Sequence, residues 1–192
     1  MAKKTYYWDK VSEEIGKLFL RYFKKNMTIC EVGFAGGHFL EFLESKGYNN
    51  LIGIEIREEQ FKSTEKRFNN INMKAKLINA DIFDVESRYD AIYSTGLIQC
   101  FDENNRQRLF KHLAKISPIA IFTVPVIDID RNVKSKEEVA VTGCKEFCTG
   151  SLGYELSNYF NVVREGFIGK KITKIEDDYL FFVCMNENTS DN

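Results

Sequence analysis

The sequence predicts an α/β domain: a doubly wound, mostly parallel seven-stranded sheet with helices on both faces and an antiparallel hairpin at its C-terminal edge. Three observations carry that prediction. Short apolar runs alternate with amphipathic stripes from Thr28 to Pro125, the pattern of repeated βαβ units. A glycine-rich turn, Gly33-Phe34-Ala35-Gly36-Gly37, stands between the first run and its helix. Beyond Pro125 the order changes, and the chain ends in two strand-like runs joined by a short hydrophilic connection.

Each element has its own signal. Val11, Ile15, Leu18, Phe19, Tyr22 and Phe23 recur at helical spacing, with Asp9 or Ser12 placed to cap the start. Thr28–Val32 is apolar enough for a buried strand. His38 to Lys46 carries Phe39, Leu40, Phe42 and Leu43 inward and stops at Gly47. Leu51–Glu55 is the second strand and Glu58–Phe68 the next helix. Lys74–Asn79 and Asp90–Ser94 are strands, and Glu103–Ile116 is a helix with Leu109, Phe110, Leu113 and Ile116 on one face. That geometry puts His112 on the opposite, solvated face. Ile119–Val124 is the fifth strand, closed by Pro125. A helix near Ser151–Phe160 precedes strands at Val162–Ile168 and Tyr179–Met185.

One domain over 1–186 is expected, with residues 1–26 as a helical cap, 126–149 as a lid or substrate loop, and 187–192 as a flexible tail. The 192 residues, 44% hydrophobic and 14% aromatic, supply a large core. Lys plus Arg number 27 against 28 Asp plus Glu. A near-neutral balance argues against a protein that grips nucleic acid through phosphates. No apolar run is long enough for a membrane span, and no apolar stretch follows the charged N-terminal residues as in a secretory signal. Five scattered cysteines are then best read as reduced thiols, and the expected location is cytoplasmic.

The residues suited to chemistry gather at successive strand ends. The glycines let the backbone turn tightly and let a ligand approach without a side chain in the way. Glu55 ends the second strand, 22 residues after Gly33, where an acid can accept both hydroxyl protons of a ribose. Asp81 follows the third strand, where a carboxylate can receive an exocyclic amino group. Ser94-Thr95-Gly96 follows the fourth and completes a crevice along the carboxyl ends. A dinucleotide-binding G-x-G-x-x-G started at Gly33 needs glycine at 35 and 38, which hold Ala35 and His38.

With these residues the chain resembles the class I S-adenosylmethionine-dependent methyltransferases, over roughly residues 28 to 125 and in topology beyond. Glu31-x-Gly33-x-Ala35-x-Gly37 is similar to that family's first motif, with Ala35 where glycine is usual. Glu55, followed by Ile56, matches the ribose acid, and Asp81 with Ile82 matches the pair that contacts adenine. Leu97-Ile98-Gln99-Cys100-Phe101 is similar to the fourth motif, where the family often has histidine or an acid in place of Gln99. The resemblance implies a Rossmann-like methyltransferase fold, S-adenosylmethionine as cofactor and S-adenosylhomocysteine as product. It assigns Glu31, Gly33, Ala35, Gly37, Glu55, Ile56, Asp81, Ile82 and Ser94 to the cofactor.

The expected reaction is in-line methyl transfer to nitrogen or oxygen of a small-molecule acceptor. The alternative is a non-catalytic protein that binds the cofactor as a sensor or partner subunit. Gln99, Asp128, Asp130 and Tyr7 are the acceptor-side candidates; Tyr6, Tyr7 and Trp8 can form either an edge clasp or a lid over the sulfonium. No metal is expected. Asp128, Asp130 and Asn132 lack an acid at the fourth strand end, and Cys144 with Cys148 lack two further ligands. Asp/Asn-Pro-Pro-aromatic, the signature of base N-methylation, is missing after the fourth strand.

Overall fold

The computed structural model describes residues 10–126, 151–168 and 178–186. A seven-stranded sheet runs through it in the order β3-β2-β1-β4-β5-β7-β6. The strands are β1 (Ile29–Val32), β2 (Leu51–Glu55), β3 (Lys76–Asn79), β4 (Ala91–Thr95), β5 (Ile119–Val126), β6 (Asn161–Ile168) and β7 (Asp178–Met185). Five parallel strands, β1 to β5, pair as their apolar runs predict, and β1 is buried at every position. The C-terminal strands pair antiparallel as expected. β7 inserts between β5 and β6, so β6 forms the edge.

The helices are α1 (Lys10–Tyr22), α2 (His38–Ser45), α3 (Glu58–Ile71), α4 (Glu103–Ile116) and α5 (Ser151–Ser157). Side chains of α1, α2 and α3 pack on one sheet face with Ile29, Tyr93, Ile121 and Val183. Those of α4 and α5 pack on the other with Cys30, Ile92, Phe122 and Phe182. Alternate residues of β1 and β4 therefore divide between two cores, as the period-2 geometry of a strand requires. Burying one such large apolar side chain contributes about 1.5–3 kcal/mol. An aromatic cluster fastens α1 to the sheet: Phe19 lies 4.5 Å from Tyr93 and 5.5 Å from Phe23, centroid to centroid. No helix among the described residues is long and apolar enough to cross a membrane.

Several sequence expectations shift. β5 continues through Pro125 to Val126, because β4 stops pairing at Thr95↔Thr123 and the missing proline N–H costs no ladder bond on that side. Ser12 lies inside α1 and not ahead of it, and Asp9 lies outside the described residues. His112 is not freely solvated: its Nε2 lies 3.0 Å from the Val85 carbonyl and its ring meets Phe83 edge-on at 5.9 Å. The helix face opposite Leu109 and Leu113 reaches the loop after β3, which periodicity alone does not reveal. The segments holding Tyr6–Trp8, Asp128, Asp130, Asn132, Cys144, Cys148, Lys170, Lys171 and Lys174, and the tail 187–192, lie outside the described residues.

Candidate functional site

The C-terminal ends of β3, β2, β1, β4 and β5 form one row, and most of the sequence-predicted residues stand along it. Neighbouring ends are knitted by hydrogen bonds. Asn79 Nδ2 donates to the Glu55 carbonyl at 2.7 Å, Gly33 N–H to Ile54 O at 2.8 Å, and Gly96 N–H to Thr123 O at 2.9 Å. Leu97, after β4, closes on Gly33, whose added Cβ would stand 3.0 Å from the leucine side chain.

The turn after β1 is a built cradle. Gly33, Ala35 and Gly37 have φ of 73°, 43° and 66°, all in the left-handed region. For Ala35 this conformation is disfavoured, and it persists because the surroundings over-determine it. Glu55, 3% exposed, accepts from Ala35 N–H through Oε2 at 3.0 Å. Its Oε1 accepts from Arg57 N–H at 3.0 Å. Arg57 Nε also donates to Oε1 at 3.3 Å. A carboxylate has about four acceptor positions, so hydrogen-bonding capacity remains beyond these three bonds. Thr64 donates its hydroxyl to the Ala35 carbonyl at 2.6 Å, and Arg67 Nη2 donates to the Gly36 carbonyl at 2.5 Å. At Gly37 an added Cβ would stand 2.6 Å from Phe68 and 3.0 Å from Thr64. Gly37→Ala is accordingly expected to cost about 1–3 kcal/mol of stability, from clash and left-handed strain together. Chemical denaturation measures it, and a wild-type midpoint would refute the close approach.

Glu31 sits one step deeper. It is 3% exposed, accepts from Tyr93 OH at 3.0 Å and also bonds the backbone of Leu40 in the first turn of α2. Burial pushes its carboxyl up to about 8, against the smaller opposing pull of the Tyr93 bond. Asp81 caps the short 3-10 turn Ile82–Asp84, accepting from Phe83 N–H at 3.0 Å, and Ile82 is buried beneath it. Ile56 projects from the end of β2 and is 62% exposed.

At the other end of the row polar atoms are buried without partners. Ser94 Oγ, Thr95 Oγ1, Gln99 Oε1 and Thr123 Oγ1 have no hydrogen-bond partner among the described residues. Ser94 is 1%, Gln99 6% and Thr123 0% exposed. Such atoms cost about 1–3 kcal/mol each when unsatisfied, so these four, near the C-terminal ends of β4 and β5, make this end of the row a candidate place for a polar partner. Of the other acceptor-side candidates, Tyr7, Asp128 and Asp130 lie outside the described residues.

Sequence reasoning missed Thr64, Arg67, Tyr93 and Thr123. Thr64 left one sign, a small polar residue in the otherwise apolar stripe Phe61, Thr64, Phe68. Arg106 was missed as well. It is 4% exposed, forks onto Glu155 of α5 at 2.7 and 2.9 Å, and donates to Phe101 O beside the Gln99 turn.

Residues 29–117, just under half of the chain, match the family model described as a methyltransferase domain. Solved structures share the fold at low identity. An S-adenosylmethionine-dependent methyltransferase from Aquifex aeolicus is 16% identical, with TM-score 0.70, covering 90% of this chain and 88% of its own. Magnesium protoporphyrin IX methyltransferase from Synechocystis PCC 6803, with bound S-adenosylhomocysteine, is 11% identical at TM-score 0.70, covering 91% and 81%. A glycopeptide N-methyltransferase complexed with S-adenosylmethionine is 12% identical at TM-score 0.72, covering 93% and 89%. No curated protein matches in sequence. The family match and the strand-end row agree: residues 29–117 are similar to a methyltransferase domain, and the fold is the one shared by these S-adenosylmethionine-dependent methyltransferases.

Proposed function

We propose that the chain transfers a methyl group from S-adenosylmethionine to nitrogen or oxygen of a small-molecule acceptor. The residues present suit the cofactor. The cradle from Gly33 to Gly37 leaves backbone where a Cβ would intrude, Glu55 has acceptor capacity for a ribose, and exposed Ile56 with Asp81 and Ile82 offers an apolar and polar edge for adenine. When bound, the cofactor supplies a methyl already activated by its sulfonium.

The protein's task is then positioning. The observation that carries the acceptor reading is the set of unpartnered, buried groups Ser94, Thr95, Gln99 and Thr123 at the ends of β4 and β5. All four are uncharged. Gln99 can orient an acceptor through its amide but cannot take a proton at neutral pH. This favours an amine or a carboxylate, which needs little or no proton abstraction, over an alcohol or phenol. His38, at the start of α2, has its imidazole pushed below the usual range by burial and by nearby Arg67. The reading assigns it no proton transfer.

A screen with methyl-labelled cofactor tests this against small amines, carboxylates, phenols and oligonucleotides. Label is expected in the first two classes, and labelling of oligonucleotides alone would reject the reading. Turnover should show no acid limb that His38→Gln abolishes; such a limb, below the usual histidine range, would make His38 the base. The cytoplasmic expectation is supported by Cys30, Cys100 and Cys184, none of which is in a disulfide among the described residues.

A further inference from the structure

We propose that Thr64 and Arg67 of α3 are positioning residues that hold the glycine turn in its cofactor-receiving shape, and that Thr64 is what lets alanine stand at position 35. The inference rests on the cofactor reading above. Ala35 keeps a φ of 43° although an L side chain disfavours it. Its peptide groups are gripped from two different elements: Glu55 of β2 holds the N–H at 3.0 Å, and Thr64 of α3 holds the carbonyl at 2.6 Å. Thr64 is 3% exposed, so water does not compete for that bond.

One residue on, Arg67 donates to the Gly36 carbonyl at 2.5 Å, while its other Nη pairs with Glu41 of α2. Carbonyl and following N–H lie on opposite sides of a rigid trans peptide. Fixing the Ala35 carbonyl onto α3 therefore turns the Gly36 N–H away from α3, to the outer side of the turn. Releasing the carbonyl lets Ala35 relax toward right-handed backbone, and ligand binding must then restore the left-handed shape.

The test is a double-mutant cycle on the full chain, read as the dissociation constant for S-adenosylhomocysteine. Thr64→Val, which keeps shape and removes the hydroxyl, is expected to weaken binding about five- to tenfold. Thr64→Ser should bind within about twofold of wild type because it keeps the donor. In an Ala35→Gly background the valine substitution should cost less than about twofold, since glycine adopts positive φ without strain. An equal loss in both backgrounds, no loss at all, or a loss with serine as large as with valine would each overturn the proposal. If Thr64→Val does not fold, Arg67→Met replaces it in the same cycle with the same expectations. A wild-type chain that binds no S-adenosylhomocysteine would instead strike the cofactor reading itself.

Discussion

Glu55→Ala is expected to weaken S-adenosylhomocysteine binding by about ten- to a hundredfold, the range of about 1.5–3 kcal/mol for a hydrogen bond to a charged group. The carboxylate has two tasks, and the substitution removes both. It is the acceptor at the end of β2 proposed for the ribose, and it also holds the Ala35 N–H at 3.0 Å. The effect should therefore lie toward the upper end of that range. Glu55→Gln should fall in between, because its amide oxygen can keep one acceptor bond while the second position becomes a donor. Equilibrium titration of the three proteins decides it. Wild-type affinity in the alanine variant would remove Glu55 from the site.

Glu31→Gln is expected to stabilise the protein at high pH and to leave it nearly unchanged at pH 5. Burial raises the folded-state pKa of Glu31 to about 8, above the ordinary value of 4.5. The stability this group contributes is thus complete below about 4.5 and is lost as pH rises to about 8, because the folded state holds a proton that the unfolded chain has released. Glutamine resembles the protonated acid, keeps an oxygen for Tyr93 OH, and cannot ionise. At pH 9 the variant should gain a few kcal/mol, a rise in Tm of about 5 °C or more for a chain this size. Thermal unfolding at pH 5 and pH 9 is the check. A variant less stable than wild type at pH 9 would mean that Glu31 is held ionised, by a cation or donor that the Tyr93 and Leu40 bonds do not represent.

Much of the sheet was legible because a buried parallel strand needs a continuous apolar run, and Thr28–Val32, Leu51–Glu55 and Ile119–Val124 supply it. The placing of β7 between β5 and β6 was not. Two adjacent strand-like runs specify a hairpin, while which member meets β5 depends on packing across the whole sheet. Glu55 and Ala35 stood out because motif spacing marks them, and the structure joins them by a direct bond. Thr64 and Arg67 reach the same turn from α3, 29 and 31 residues further along than the carbonyls they hold, and no local pattern encodes that approach. The orphaned hydroxyls of Thr95 and Thr123 are likewise a tertiary fact. Each is an ordinary strand threonine until register places the two side by side.

Titration calorimetry of the wild-type chain with S-adenosylhomocysteine, followed by competition with S-adenosylmethionine, tests the central claim most directly. The strand-end row predicts one molecule bound per chain, with the two ligands excluding each other from the same site. No binding of either ligand, or simultaneous binding of both, would contradict it.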